Sequence, residues 1–237
     1  MKLTVLGKYG PYPNKKGCTS SYLLQSNTKN ALIDVGSGSF KRLINYVDVS
    51  DLSFIILSHL HFDHVSDIGV LSYALSFSNK QGKINVYIPK SDSEVYYSIS
   101  RIDKFNIIDI EENKEYLEGD LVLTFYKTEH PVLSYGVKIY CGDKIFGYTG
   151  DSKYVASVEE LAKDCDLLVA DGAFLQKDYS DQKPHMSILQ AASLSAFAKK
   201  VLIAHINPRY KDFEVTKEIK NFNKKVQVIK ENKTYKI

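Results

Sequence analysis

The sequence predicts an α/β fold in which β-sheets and helices are stacked in layers. Strand-length apolar runs alternate with segments whose apolar residues recur at helical spacing, which is typical of layered α/β domains. The chain has 237 residues, of which 44% are hydrophobic and 25% are charged, as expected for a globular protein with a substantial core. We therefore expect one domain that spans residues 1–237.

The first half of the chain begins with strands and continues with alternating strands and helices. Residues 21–25 and 30–34 flank a polar turn at 26–29, which predicts a β-hairpin. The two glycines that follow do not match a phosphate-binding pattern, so we do not expect nucleotide binding through that loop. The predicted strands are 2–6, 21–25, 30–34, 54–57, 84–88 and 105–110, and the predicted helices are 40–46, 65–77 and 94–101.

The second half opens with a β-rich stretch and then returns to alternation. A charged segment at 111–115 indicates an exposed turn before the first of these strands. Three closely spaced strands then precede alternating helices and strands that reach almost to the C-terminus. The predicted strands are 121–127, 135–141, 144–148, 166–170, 201–204 and 226–229, and the predicted helices are 155–163, 187–198 and 214–222.

Charge and cysteine content restrict the classes of function. The net charge is only +3, which provides no strong overall field for steering a polyanion. The three cysteines, Cys18, Cys141 and Cys165, are odd in number and show no C-x-x-C spacing, so neither a disulfide framework nor a thiolate metal site is indicated. We find no signal peptide and no apolar run of membrane-spanning length, and we expect a cytoplasmic protein.

A metal-binding motif follows the strand at 54–57. Residues 58–64 read S-H-L-H-F-D-H, which places three imidazoles and a carboxylate within six positions. In an extended chain alternate residues share a side, so His59 and His61 can bind one ion while Asp63 and His64 turn toward a second. Nitrogen and oxygen donors of this kind favour zinc, with manganese or iron as alternatives.

Further candidate ligands follow other predicted strands. His130, Asp151 and His205 each come after an apolar strand-like run, and strand ends are where α/β proteins usually build their sites. A single histidine in such a position is more often a surface or core residue. Their combination with residues 58–64 indicates one shared metal site instead.

The order of these residues resembles the metallo-β-lactamase superfamily. The chain contains H-x-H-x-D-H, then His130, then Gly150-Asp151, then His205, and the resemblance extends over nearly its whole length. It implies a four-layer αββα sandwich with two mixed β-sheets and a site that holds two divalent metal ions. It also implies the following roles: His59, His61 and His130 bind one metal, Asp63, His64 and His205 bind the other, Asp151 bridges the two, and Asp34 supports the metal loop.

The resemblance also implies a chemistry. Two divalent ions bind a water, lower its pKa and provide a metal-bound hydroxide for hydrolysis. Asp63 and His185 are the candidate catalytic residues. For His185 the reason is that Lys183-Pro184-His185-Met186-Ser187 resembles the G-H-[SM]-[ST] motif of the tRNase Z-like branch. In that branch the histidine assists phosphodiester cleavage. Pro184 replaces the usual glycine, and a simple helix-cap role for this segment remains an alternative.

The segment between His130 and Asp151 narrows the substrate class. Two predicted strands fill it, which leaves no room for the long tRNA-clamping arm of true tRNase Z enzymes. We therefore expect a phosphodiesterase that acts on small or cyclic phosphodiesters, with tRNA and membrane partners not expected and a homodimer left open. The alternative is a lactone or thioester hydrolase with the same metal site, for which His185 is not needed.

Overall fold

The computed structural model describes residues 1–222 and 224–237. Its fourteen described strands form two mixed sheets of seven strands each. In chain order the strands are β1 (Lys2–Gly7), β2 (Ser21–Gln25), β3 (Asn30–Ile33), β4 (Phe54–Ile56), β5 (Ile84–Ile88), β6 (Phe105–Asp109), β7 (Glu115–Glu118), β8 (Leu121–Thr128), β9 (Ser134–Cys141), β10 (Lys144–Tyr148), β11 (Leu167–Asp171), β12 (Val201–Ala204), β13 (Val226–Val228) and β14 (Thr234–Lys236).

The strand order gives each sheet an antiparallel part and a parallel part. The first sheet runs β14-β1-β2-β3-β4-β5-β6 and the second runs β13-β12-β11-β10-β9-β8-β7. Pairing is parallel from β3 to β6 and from β10 to β13, where helices connect the strands. The predicted hairpin is confirmed, with Tyr22 opposite Ile33 in the β2–β3 pair.

Helices cover the outer face of each sheet. The seven described α-helices are α1 (Ser39–Leu43), α2 (Phe62–Val65), α3 (Ile68–Phe77), α4 (Glu94–Ser100), α5 (Ala156–Ala162), α6 (Ile188–Ser193) and α7 (Asp212–Glu218). Residues of α1, α3 and α4 share a core with the outer face of the first sheet, and residues of α5, α6 and α7 do so with the second. A third core lies between the two sheets and includes Tyr22, Phe54 and Phe125. The predicted αββα sandwich is therefore confirmed.

Two strands and one helix differ from the sequence prediction. The short edge strands β7 and β14 were not predicted. The expected helix at 65–77 begins only at Ile68, as α3, and Val65 instead ends the separate short helix α2; the two are separated where Asp67 makes hydrogen bonds outside the helix. Its backbone N–H donates to the carbonyl of Val35 over 3.0 Å, and its carboxylate accepts from the backbone N–H of Phe40 over 2.9 Å.

The strand arrangement brings several candidate site residues to one end of the sandwich. β4, β11 and β12 lie in parallel parts of the two sheets, and the candidate ligands follow their carboxyl ends or those of neighbouring strands. Tyr135, in β9, donates its backbone N–H to the carbonyl of Ser58 over 2.9 Å, which ties the second sheet to the loop after β4. Across the described residues, no helix has the length and apolar character needed to cross a membrane.

Candidate metal centre

The loop after β4 changes conformation within the histidine motif. His61 has an extended backbone and immediately precedes α2, so Asp63 and His64 belong to the first turn of a short helix. The N–H of His64 donates to the carbonyl of His61 over 3.0 Å, which fixes this change of direction. The extended half and the helical half of the motif therefore present their side chains to two different groups.

The first group consists of His59, His61 and His130. His61 Nδ1 lies 3.1 Å from His59 Nε2 and 3.0 Å from His130 Nε2. Nitrogen atoms bound to one zinc at about 2.0–2.1 Å in tetrahedral geometry are separated by roughly 3.4 Å, close to these distances. Three converging imidazole nitrogens thus form one side of a tetrahedral site.

The second group consists of Asp63, His64, Asp151 and His205, of which the last three are buried and Asp63 is nearly so. Asp151 Oδ2 lies 3.2 Å from His64 Nε2, and Asp151 Oδ1 lies 3.1 Å from His205 Nδ1. Asp151 also reaches the first group, because its Oδ2 is 3.5 Å from His59 Nε2. The carboxylate of Asp151 therefore lies between the two groups, as a bridging ligand would.

Buried atoms without partners show that these residues fit metal ions. Asp63 Oδ2, His64 Nε2 and Asp151 Oδ1 are buried, and among the described residues none of them has a hydrogen-bond partner with good geometry, although the candidate ligands around them lie only 3.1–3.6 Å away. Leaving such polar atoms unsatisfied is costly inside a protein. They lie in a cluster of oxygen and imidazole donors, which is the donor set that zinc and similar divalent ions prefer.

The protonation states of His59, His130 and His205 also suit metal binding. Burial lowers the pKa of His59 and of His205 well below the ordinary value and lowers the pKa of His130 to about 4. These imidazoles are consequently neutral, which is the form that binds metal. At His64 burial also acts to lower the pKa, but the Asp151 and Asp34 carboxylates outweigh it and raise the pKa well above the ordinary value.

Asp34 supports the metal loop through four hydrogen bonds. Its carboxylate accepts from the N–H of Ser58 (2.8 Å), the hydroxyl of Ser58 (2.9 Å), Nδ1 of His64 (2.7 Å) and the hydroxyl of Tyr148 (2.7 Å). A hydrogen bond from Nδ1 fixes the orientation of the His64 ring and leaves Nε2 for the metal. This is the supporting position that the sequence resemblance implied for Asp34.

Two residues of the site have backbones in the left-handed region. Asp34 has φ 54° and His205 has φ 51°, values that are uncommon for residues other than glycine. The ring of His205 is also packed closely against Gly10, where a Cβ atom would lie 2.0 Å from it. The surrounding structure thus holds both residues in conformations of higher energy to place their side chains.

His185 lies beside the metal groups and is held by Asp171. The Nδ1 atom of His185 is 2.8 Å from Asp171 Oδ2, and its ring stacks on His205 with 4.9 Å between centroids. Burial acts to lower the pKa of His185, but the Asp171 carboxylate outweighs burial and raises the pKa to about 9. His185 also forms a possible ligand group with His130 and Asp151.

The residues around His185 have different contacts. The carbonyl of Pro184 lies 3.2 Å from His130 Nδ1 and can accept a hydrogen bond from it, so the departure from the glycine of the family motif coincides with a contact to a candidate ligand. Ser187 caps α6 in a capping box with Gln190. The capping function therefore belongs to Ser187, while His185 faces the site.

Asp171 is a functional candidate that the sequence interpretation missed. It is the last residue of β11, it is buried, and its Oδ2 also accepts the backbone N–H of Ser152 over 3.1 Å. The signal that identified Asp151 and His205, a polar residue at a strand end, applies equally to Asp171. It was available in the sequence, but Asp171 belongs to none of the quoted motifs.

Comparison with known proteins identifies the family. A family model described as the metallo-beta-lactamase superfamily matches residues 16–218. The probable metallo-hydrolase YhfI of Bacillus subtilis is 32% identical, with 97% of each chain covered, and its crystal structure superposes with a TM-score of 0.92 over 99% of each chain. The chain is also 25% identical to ribonuclease Z of Saccharolobus solfataricus, with 90% of each chain covered. The short form of human tRNase Z has the same fold, with a TM-score of 0.81, 19% identity, and coverage of 100% of this chain and 99% of that one.

Proposed function

The chain belongs to the metallo-β-lactamase superfamily and is a metal-dependent hydrolase, and we propose that it is a dinuclear phosphodiesterase acting on small or cyclic phosphodiesters. Under this proposal one ion is held by His59, His61 and His130 and the other by Asp63, His64 and His205. Asp151 would help to hold both ions.

When bound, the two ions would lower the pKa of a water, which would serve as the nucleophile, and would neutralise charge on the phosphoryl oxygens. The protein residues then have separate tasks. Asp34 fixes the ring of His64 through a hydrogen bond to Nδ1. The carbonyl of Pro184 lies within hydrogen-bond distance of Nδ1 of His130. Asp63 completes the second group and stands as a candidate catalytic carboxylate.

The observation that carries the phosphodiesterase proposal is the Asp171–His185 pair beside the metal groups. A carboxylate on Nδ1 keeps a proton on that nitrogen, so Nε2 is the atom of His185 that can exchange a proton with a substrate. An alkoxide that leaves a phosphodiester needs such a proton. A lactone or thioester hydrolase has less need of it, because an oxyanion next to the ions is already stabilised.

The segment between His130 and Asp151 supports a small substrate. It consists of the β9–β10 hairpin, in which Lys144 pairs with Cys141 across a short turn. The hairpin adds no projecting arm that could hold a folded RNA. The relatives include a ribonuclease, and ribonucleases cleave phosphodiester bonds. The proposed reaction is the same kind of bond cleavage on a smaller substrate.

The proposal is tested by replacing His185 with alanine and measuring turnover on paired alkyl and aryl phosphodiesters. Loss of a general acid should lower turnover on the alkyl diester by roughly 10² to 10⁴, whereas an activated aryl leaving group departs without protonation and should be spared. Metal content should not change. KM should change much less than turnover, because the proton is transferred only in the transition state.

The matched control is Ser187→Ala, which removes the helix cap of the same segment and leaves the imidazole in place. It should lower stability by about 1 kcal/mol and leave the ratio of alkyl to aryl turnover unchanged. Small and equal losses on both diesters in His185→Ala, together with undiminished hydrolysis of a lactone, would favour the acyl-hydrolase alternative.

A further inference from the structure

The low net charge of the chain conceals a strong separation of charge along the sequence. Residues 1–50 carry 7 Lys and Arg against 2 Asp and Glu, and residues 191–237 carry 11 against 4. The remaining residues, 51–190, carry 13 against 22. Two basic terminal segments, with net charges of +5 and +7, therefore flank a central segment with a net charge of −9.

The fold places the two basic segments side by side. β14 pairs with β1 at the edge of the first sheet, and β13 forms the corresponding edge of the second. Val5 also accepts the backbone N–H of Asn232 over 2.8 Å, which holds the connection between β13 and β14 against β1. The acidic stretch 111–120 belongs to the opposite edge, which includes β7. One edge of the sandwich is consequently basic and the opposite edge acidic.

A cavity of about 540 Å³ lies at the basic edge, between β13, β14 and residues 219–222, which follow α7. Four exposed lysines line it, Lys220, Lys224, Lys230 and Lys233, and none of its lining residues is acidic. Among the residues that the structure describes, none of these four ammonium groups forms an ion pair, although that of Lys233 lies 4.8 Å from the ring centre of Tyr235.

The rest of the cavity lining is largely apolar. Ile219, Phe222, Val226 and Val228 contribute side chains, and Tyr235 forms part of the wall. A volume of a few hundred Å³ with apolar walls and a few charged groups is typical of a site for a small molecule. None of the candidate metal ligands lines this cavity, so the cavity is separate from the metal centre.

We propose that this cavity binds a nucleoside polyphosphate, that is, a small ligand with several phosphate charges on an apolar ring system. Four unpaired ammonium groups repel one another, and a ligand with three or four negative charges relieves that repulsion. Lysine is a common partner of phosphate groups. The apolar wall then accommodates the base, whereas a bare phosphate chain would make no use of that wall.

The test is calorimetric titration of the metal-loaded protein with ATP, inorganic triphosphate and adenosine at low ionic strength. ATP should bind with a submillimolar Kd, more tightly than triphosphate, and adenosine alone should bind weakly. The double substitution Lys224→Gln and Lys230→Gln should weaken ATP binding roughly tenfold, as expected for two ion pairs at partly exposed positions.

Two controls locate the binding. Lys83→Gln with Lys90→Gln removes the same charge from exposed positions flanking β5 and should change the Kd less than twofold. His61→Ala changes the metal centre and should retain ATP binding, which also shows that the phosphates are not held by the ions.

Several outcomes would overturn the proposal. These are no binding at millimolar ATP, equal weakening in both lysine double variants, loss of binding in His61→Ala, or triphosphate binding as tightly as ATP. Binding of a 20-nucleotide RNA that ATP does not displace would assign the basic edge to nucleic acid instead.

Discussion

Replacing Asp171 with asparagine tests whether this carboxylate acts on catalysis through His185. Asparagine has nearly the same shape, and its oxygen can still accept the backbone N–H of Ser152, which Asp171 now accepts over 3.1 Å. The substitution removes the charged acceptor 2.8 Å from His185 Nδ1. If the amide instead turns its NH₂ group toward Nδ1, it gives up the contact with Ser152, because both contacts are to the same atom, Oδ2, and it favours the wrong tautomer of the ring.

The expected magnitude follows from that one interaction. A hydrogen bond to a charged group contributes about 1.5–3 kcal/mol, which corresponds to a loss of roughly 10- to 100-fold in turnover. The loss should be found with an alkyl phosphodiester and should be small with an activated aryl diester. Metal content should be unchanged, because Asp171 belongs to neither proposed ligand set.

The assay is steady-state kinetics on both diesters with metal analysis of the same preparations. Asp166→Asn is a suitable control, because Asp166 also accepts a backbone N–H, that of Ile145 over 2.9 Å, but lies at the other end of the strand. It should leave the ratio of alkyl to aryl turnover unchanged. Equal losses on both substrates in Asp171→Asn, or loss of metal, would refute the positioning role.

Two other predictions concern the metal loop and the substrate. Tyr148→Phe removes the 2.7 Å hydrogen bond to buried Asp34 and should lower the free energy of unfolding by about 1.5–3 kcal/mol and metal affinity by roughly 10- to 100-fold, measured by denaturant titration and competition with a chelator. Unchanged values of both would contradict the supporting role of Asp34. Precursor tRNA should be cleaved much more slowly than a small phosphodiester, with little dependence on salt. Rapid, strongly salt-sensitive cleavage of the tRNA 3′ end would contradict the small-substrate proposal.

Much of the fold could be predicted because most of its strands are apolar runs that end in recognisable turns. β7 and β14 were missed because they are short edge strands with too few buried residues to show an alternating pattern. In β14 only Tyr235 is buried. The break between α2 and α3 could not be predicted locally, since it depends on hydrogen bonds of Asp67 to residues more than twenty positions away.

The sequence singled out most of the residues that the structure gathers at the candidate site. His59, Asp151 and His205 follow strands, and the structure brings them to one place. Asp171 was missed although it satisfies the same rule, because no quoted motif included it. The basic edge was hidden for a different reason: the net charge of +3 is a sum over the chain, and only the pairing of β1 with β14 shows where the charges gather.

The central claim is that one chain holds two ions joined by Asp151, and metal analysis of the purified protein tests it most directly. The proposed ligand groups predict two divalent ions per chain in the wild type and the loss of at least one in Asp151→Ala. Circular dichroism of the variant should remain that of a folded α/β protein, because none of the candidate metal ligands belongs to the three hydrophobic cores. A fully loaded wild type with only one ion per chain would contradict the dinuclear centre.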